Sequence, residues 1–170
     1  DWSSDVCSSD LAFLIRHPLY AIAGGMGGHL GGEVASALAV ETVAADAGGR
    51  PLAERVLEAN RAVLERSKGD RAVAGMGTTF TGIELHGGVA RLAHVGDSRA
   101  YRFRGGALEP LTEDHTLVGE LVRSGDLDEA AARAHPQRSV LLRCIGTEAT
   151  VEVDEGLVEL ADGDRLLLCS

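Results

Sequence analysis

The residue types that could do chemistry are concentrated in a glycine-rich turn near the start of the chain. An apolar run at residues 19–23 has the length of a buried strand, residues 24–28 contain four glycines, and a helix is predicted to begin by about Glu33. Glycine allows the backbone to take positive φ and to approach a ligand closely. The pattern therefore predicts a binding site between a strand and a helix, and a flexible connector is the alternative.

Two common phosphate-binding loops do not match this turn. A dinucleotide fingerprint that starts at Gly25 needs glycine at its sixth position, which is Leu30. A Walker loop needs Gly-Lys-Ser or Gly-Lys-Thr, and the only lysine in the chain is Lys68. The glycines are therefore predicted to serve another kind of site.

A second candidate is Asp97, which lies in a predicted turn between two strands. Aspartate often stabilises such turns by accepting hydrogen bonds from nearby backbone, so a structural role is one alternative for this carboxylate. Thr78 and Thr79 begin a strand, and no base is evident beside either of them. These two hydroxyls are therefore predicted to bond backbone groups rather than to act as nucleophiles.

The elements that must position these residues are short strands and helices. Strands are predicted at 12–15, 19–23, 78–85, 89–95, 99–103, 151–159 and 165–169, and helices at 33–45, 52–66, 116–124 and 127–134. The predicted core faces of the two long helices are Val34, Ala37, Leu38 and Ala44 on the first and Leu52, Val56, Ala59 and Val63 on the second. This order predicts an α+β protein with two layers of sheet flanked by helices.

The composition indicates a single soluble, globular domain of 170 residues with 45% hydrophobic residues. A net charge of −10 argues against nucleic acid as a partner, because phosphate backbones select basic surfaces. No apolar run approaches the roughly 20 residues of a membrane span. Cys7, Cys144 and Cys169 are widely spaced, without a Cys-x-x-Cys pair, which is typical of a reducing compartment. We therefore expect a cytoplasmic protein that binds neither nucleic acid nor membrane.

Six ordered segments resemble one known family. Residues 23–29 read Ala-Gly-Gly-Met-Gly-Gly-His, and the other five segments are residues 75–79, 94–101, 111–115, 135–138 and 162–170. Together they resemble the bacterial PPM-type (type 2C) metal-dependent protein serine/threonine phosphatases, whose first signature is Ala-Asp-Gly-Met-Gly-Gly-His. The resemblance implies a four-layer α-β-β-α sandwich of two mainly antiparallel sheets flanked by helices, incomplete in this chain. It also implies that residues 116–138 form a flap near the site.

The same resemblance implies a reaction and its cofactors. Members of the family hydrolyse phosphoserine and phosphothreonine in proteins with a water that Mn²⁺ or Mg²⁺ activates, and two to three ions are bound. Two divalent ions about 4 Å apart lower the pKa of the bound water and clamp the phosphate. The implied metal contacts are the carbonyl of Gly25 and the carboxylate of Asp97, and Gly24 stands where the family has its bridging aspartate. No side chain here is assigned a catalytic role, and the implied partners are phosphorylated proteins, the substrates of a Ser/Thr kinase.

The departure at Gly24 has a chemical consequence, because glycine has no side chain with which to bridge two ions. Loss even of a group that only supports a metal ligand typically costs 10–100-fold in affinity or activity. We predict that the chain as written binds the metal pair poorly and turns over little substrate. Two alternatives remain: a non-catalytic pseudophosphatase that binds phosphoproteins, and a regulatory phosphatase of a sigma-factor pathway.

The first eleven residues do not fit the rest of the chain. They lack the basic region and apolar core of a signal peptide and resemble a translated sequencing adapter, so residues 1–11 are predicted to be non-native. Residues 12–170 are predicted to form a partial PPM-type phosphatase domain, and we expect a fragment that lacks both ends of that domain.

Overall fold

The structure is a computed structural model that describes residues 10–26, 29–46 and 49–170, without the side chain of His29. The strands are β1 (Leu11–Arg16), β2 (Leu19–Met26), β3 (Gly77–Thr78), β4 (Phe80–His86), β5 (Val89–Val95), β6 (Arg99–Arg104), β7 (Ala107–Pro110), β8 (Asp154–Glu159) and β9 (Arg165–Cys169). The helices are α1 (His29–Ala45), α2 (Leu52–Gly69), α3 (Leu117–Ser124) and α4 (Glu129–Ala134), and a 3₁₀ turn spans Arg71–Val73.

These strands form two antiparallel sheets. The larger sheet has the order β1-β2-β4-β5-β8, with β3 pairing the far end of β2, and the smaller sheet has the order β7-β6-β9. Tight turns at Gly87-Gly88 and Gly105-Gly106, all four with positive φ, connect neighbouring strands as hairpins. The α+β class and the two sheets flanked by helices predicted from the sequence are confirmed.

Alternation along the strands divides the buried residues into two cores. On β5, Ala93 and Val95 face α1 and α2, whereas Ala90 and Leu92 face the smaller sheet. The first core packs the two long helices onto the larger sheet around Phe80. The second core packs the two sheets on each other. The larger sheet is thus a middle layer, buried on both faces.

The long helices confirm one predicted core face and correct the other. Leu52, Val56, Ala59 and Val63 of α2 are all buried, as predicted. On α1, the predicted Val34 and Leu38 are only partly buried against this core, and the fully buried stripe is Ala35, Ala39 and Val43. Helix α1 carries apolar residues on most of its faces, so periodicity alone could not select the face that meets the sheet. It also begins at His29 rather than near Glu33.

Several strand boundaries differ from the predictions. Strand β7 was not predicted, because its residues are all exposed and show no alternation. Strand β8 begins at Asp154, three residues later than the predicted start at position 151. The predicted strand at 78–85 is divided into β3 and β4 at Thr79, whose N–H donates to the Gly24 carbonyl of β2.

An apolar cleft of about 630 Å³ separates β1 and β2 from β9. Phe13 and Ile15 of β1 line it and are 56% and 76% exposed, so this edge of the larger sheet is only partly covered. In the described ranges, no helix has the length and apolar character that crossing a bilayer requires.

The predicted non-native segment falls mostly outside the described ranges, which omit residues 1–9. The carbonyl of Asp10 accepts a hydrogen bond from the backbone N–H of Gly25 at 2.6 Å, and Leu11 opens β1 opposite Gly24. The division of the chain at residue 11 therefore stays a prediction.

Candidate functional site

Gly24 lies in β2, where two threonines hold its backbone. The Gly24 N–H donates to Thr79 Oγ1 at 2.9 Å, and the Gly24 carbonyl accepts from the Thr79 N–H at 3.0 Å and from Thr78 Oγ1 at 3.1 Å. Both threonine side chains therefore bond backbone groups, as the sequence predicted. No imidazole contacts either hydroxyl within the described part of the chain, so neither is activated as a nucleophile.

A side chain at position 24 would point into a cluster of hydroxyl groups. A Cβ built on Gly24 would lie 2.9 Å from Ser170 Oγ, 3.3 Å from Thr79 Oγ1 and 3.7 Å from Ser98 Oγ. The three hydroxyls are already linked, since Thr79 and Ser98 are 2.7 Å apart and Ser98 donates to Ser170 at 3.0 Å. The fold therefore directs position 24 at the turn that carries Asp97, although the two are far apart in sequence.

Gly25 must be glycine because its backbone packs closely against the start of α1. A Cβ on Gly25 would lie 2.0 Å from the carbonyl oxygen of Gly32 in the first turns of α1, a distance no real contact reaches. The end of β2 and the start of α1 thus meet backbone to backbone. Positions 24–26 belong to a paired strand rather than to a flexible connector, and Gly27 and Gly28 lie outside the described residues. The predicted role of the Gly25 carbonyl as a metal ligand stays a prediction.

Asp97 occupies the turn between β5 and β6 and is half-buried. Gly96 precedes it with a φ of +110°, and a Cβ there would meet Thr79 Cγ2 at 2.5 Å, so both the backbone conformation and the close approach require glycine. Burial, reinforced by the negative charge of Asp114, raises the pKa of the Asp97 carboxyl. A bound cation would relieve that cost. The accepted hydrogen bond from its own backbone N–H fits the turn-stabilising alternative equally well.

Arg99, which follows this turn at the start of β6, is already engaged in an ion pair. Its guanidinium forms a bidentate pair with Asp114, with Nε–Oδ1 and Nη2–Oδ2 distances of 2.7 and 2.6 Å. The pair holds the start of β6 to the loop before α3. It leaves Asp97 without a side-chain ion pair in the described residues.

Two buried histidines lie behind the Asp97 turn. The ring centroids of His94 and His115 are 4.7 Å apart, and burial, with a contribution from His115, lowers the pKa of His94 to about 4. His94 Nε2 donates to the Glu113 carbonyl at 2.9 Å, so Nδ1 of the neutral ring accepts from Thr81 Oγ1 at 2.9 Å. The Thr81 hydroxyl also lies 2.8 Å from the Ser98 carbonyl. Its single proton is therefore shared between the His94 ring nitrogen and that carbonyl.

His115 contacts the Asp97 turn directly. Its Nδ1 accepts the backbone N–H of Gly96 at 3.1 Å, which places the ring proton on Nε2, 3.1 Å from Asp154 Oδ2. The second oxygen of Asp154 accepts from Arg143 Nη1 at 2.8 Å. The contact between His115 and Asp154 could not be predicted from the sequence, because no local pattern links residues 39 positions apart.

These residues do not fit a two-ion metal centre. Within residues 10–26, 29–46 and 49–170, no three His, Cys, Asp or Glu side chains lie close enough together to hold a metal ion. Mg²⁺ and Mn²⁺ need oxygen ligands, chiefly carboxylates, to be held tightly. Gly24 supplies none, and Asp97 is a single carboxylate. The predicted weak metal binding of the chain as written is consistent with this arrangement and stays a prediction.

The arrangement of two stacked antiparallel sheets, with long helices on one and a polar site at the strand ends, is that of the metal-dependent protein phosphatases. The Serine/threonine phosphatase stp of Listeria monocytogenes is 39% identical over 166 residues, which cover 91% of this chain and 66% of that relative. The crystal structure of the PPM Ser-Thr phosphatase MsPP from Mycobacterium smegmatis matches with a TM-score of 0.84 and 37% identity, over 94% of this chain and 70% of that one. The chain belongs to the bacterial PPM-type serine/threonine phosphatases.

One further solved relative bears on the cofactor. The catalytic domain of the serine/threonine protein phosphatase PstP in complex with two manganese ions matches with a TM-score of 0.84 and 34% identity, over 95% of this chain and 70% of that one. No family model matches the sequence. The chain spans about two thirds of the length of the Listeria relative.

Proposed function

We propose that this protein acts on phosphoserine and phosphothreonine in other proteins, as a PPM-type phosphatase with Mn²⁺ or Mg²⁺ as cofactor. The observation that carries the proposal is the convergence of position 24 and the Asp97 turn on Thr79, between family segments that are distant in sequence. Relatives named as serine/threonine phosphatases, and a related structure with two manganese ions, support it. The substrates would be products of a Ser/Thr kinase. The net charge of −10 disfavours nucleic acid as a partner, and the widely spaced cysteines favour a reducing, cytoplasmic setting.

Hydrolysis by this chain is limited at position 24. The carboxylate that would be shared between two ions is replaced by Gly24, so one oxygen donor directed at the Asp97 turn is missing. The same observation favours a second candidate function, a pseudophosphatase that binds phosphoproteins without cleaving them. Binding can persist without the metal pair because hydroxyl and arginine groups also recognise phosphate.

Gly24→Asp is the substitution that separates the two candidates, with Gly24→Asn as its isosteric neutral control. Position 24 has ordinary strand backbone, and a Cβ requires the Ser170 hydroxyl to rotate and the Thr79 hydroxyl to shift by a few tenths of an ångström, so both variants are expected to fold. In Mn²⁺, we expect hydrolysis of a phosphothreonine peptide to stay near background for the unsubstituted chain and for the Gly24→Asn variant. We expect at least about a tenfold increase for the Gly24→Asp variant, together with tighter Mn²⁺ binding by calorimetry. EDTA should abolish the increase.

Other outcomes revise or reject the proposal. Equal, substantial hydrolysis by all three proteins would support the phosphatase and would contradict the limitation at position 24. No hydrolysis by any of them would reject the phosphatase activity for this chain. In that case, binding of the phosphopeptide in preference to its unphosphorylated form would establish the pseudophosphatase, and absence of binding would exclude both candidates.

A further inference from the structure

The segment called the flap, residues 116–138, leaves and re-enters the body of the protein at one place. Thr116 pairs with Leu141 in an isolated bridge, and the Leu117 N–H donates to the Val140 carbonyl at 2.9 Å. The Leu142 N–H donates to the carbonyl of His115 at 2.8 Å. The two ends of the flap are thus held side by side, with His115 on one side of this root and Arg143 just beyond the other.

A single carboxylate, that of Asp154, joins both sides of this root to the larger sheet. Asp154 is the first residue of β8 and pairs with His94 in β5. Its Oδ1 accepts from Arg143 Nη1 at 2.8 Å and its Oδ2 accepts from His115 Nε2 at 3.1 Å. Because His115 Nε2 carries the proton, its 3.4 Å approach to Arg143 Nη1 brings two donors together and is not a hydrogen bond.

The opposite nitrogen of His115 reaches the Asp97 turn. His115 is 4% exposed, and its Nδ1 accepts the N–H of Gly96, the residue that precedes Asp97. The Gly96 carbonyl in turn accepts the His115 N–H at 2.8 Å, so the turn and the histidine are bonded in both directions. The ring thus adds a side-chain link between the flap root and the Asp97 turn.

We infer that His115 is a positioning residue that couples the flap to the Asp97 turn. A flap docked on its root keeps the Asp154 carboxylate on Nε2, which holds the ring where Nδ1 receives the Gly96 N–H. A displaced flap root releases the ring and, with it, the backbone that aims Asp97. The inference goes beyond the proposed function, since it concerns a mechanical link, and it can be tested without phosphate hydrolysis.

Each of two substitutions at His115 removes one of the two hydrogen bonds of the ring and can keep the other. The amide of His115→Asn can keep an acceptor near the Nδ1 position and loses the contact with Asp154. The side-chain amide of His115→Gln can instead keep a donor near the Nε2 position, but it loses the acceptor for the Gly96 N–H. Asp154→Ala removes the carboxylate without touching Gly96. Glu152→Ala is the matched control, because Glu152 pairs with Arg143 at 3.2 Å but contacts no atom of the His115 ring.

The link can be tested by measuring, with NMR on the full chain, how fast the Gly96 amide hydrogen exchanges with solvent. We expect exchange of Gly96 to accelerate about tenfold in His115→Gln, the effect of one lost hydrogen bond. We expect a similar acceleration in Asp154→Ala, where Leu117 and Leu142 at the flap root also exchange faster. Glu152→Ala should leave Gly96 unchanged. In a His115→Asn background, adding Asp154→Ala should no longer alter Gly96 exchange.

The inference is overturned if Asp154→Ala loosens the flap root while Gly96 exchange stays at its original rate. It is also overturned if all amides of that variant accelerate by the same factor, because that pattern reports global unfolding and a merely structural contact. Urea unfolding of each variant gives the global reference. If His115→Gln fails to fold, two tests remain: the Asp154→Ala variant alone, and the comparison of His115→Asn with and without Asp154→Ala.

Discussion

At the scale of single residues, the adjacent positions 24 and 25 differ in whether the fold requires a glycine. Gly24 has ordinary strand backbone, and its side-chain direction leads into hydroxyl groups that can rotate. Gly25 faces the backbone of Gly32, which cannot move aside without separating β2 from α1. The fold therefore needs glycine at position 25 but not at position 24. Position 24 matters instead for the chemistry of the site, because glycine supplies no carboxylate there.

Alanine substitutions at the two positions should differ in stability. We expect Gly25→Ala to lower the free energy of unfolding by roughly 3 kcal/mol, because the new methyl group overlaps the Gly32 carbonyl. Gly24→Ala should change it by less than about 1 kcal/mol, since restriction of the unfolded chain offsets the contact with Ser170. Urea unfolding measures both. Equal losses at the two positions would contradict this account of the turn.

At the scale of elements, a buried ion pair fixes α2 on the larger sheet. Arg55 of α2 donates from Nη2 to Glu84 Oε1 of β4 at 2.5 Å and from Nη1 to the Val43 carbonyl of α1 at 3.3 Å. Although burial acts in the opposite direction, hydrogen bonds from His86 and Arg55 lower the pKa of Glu84. The Arg55 Nε is buried without a partner among the described residues. The pair therefore specifies how three elements meet, at a cost in desolvation.

Breaking this pair on one side should be more costly than removing both charges. We expect Arg55→Met and Glu84→Met each to lower the free energy of unfolding by about 3 kcal/mol or more, because each leaves an uncompensated charge in the core. The double variant should lose clearly less than the sum of the two. Arg61→Met, which breaks the exposed pair with Glu58, is the control and should cost less than about 1 kcal/mol. Additive losses would argue against an ionised pair.

At the scale of the whole molecule, the larger sheet is packed on both faces, and buried polar side chains lie on the face turned toward the smaller sheet. His94 lies on the face of β5 that is turned toward the smaller sheet, next to His115 from the loop before the flap. Both rings are buried, with 1% of His94 and 4% of His115 exposed. Protonation of His94 is therefore linked to global stability.

Acidification should destabilise the protein through His94. The unfolded chain takes up this proton as pH falls through about 6.5, whereas the folded chain takes it up only at about 4. Stability is thus complete above pH 6.5 and is lost as pH falls toward 4, by about 3 kcal/mol from this group. Titration of the His94 ring by NMR gives the folded pKa directly. Urea unfolding of His94→Gln should show a smaller loss over the same pH range, and a folded pKa near 6.5 would contradict the prediction.

Much of the architecture is determined locally and could be predicted from the sequence. Hairpin glycines, alternating strands and the apolar stripe of α2 depend on neighbours in the chain, so β5 and the core face of α2 were predicted correctly. The face of α1 could not be predicted, because apolar residues surround that helix. The exposed strand β7 has no pattern to reveal it. Ordered motifs also gave the family, since each is a short local signal.

The class of protein and the absence of a carboxylate at Gly24 could be predicted from residue identity and order alone. Which residues contact each other depends on the tertiary structure. It placed position 24 against Thr79, and it joined His115 to Gly96 and Asp154, contacts that span between 19 and 55 positions of the chain. Such contacts arise where strands from distant segments pair and sheets stack, and no local spacing encodes them.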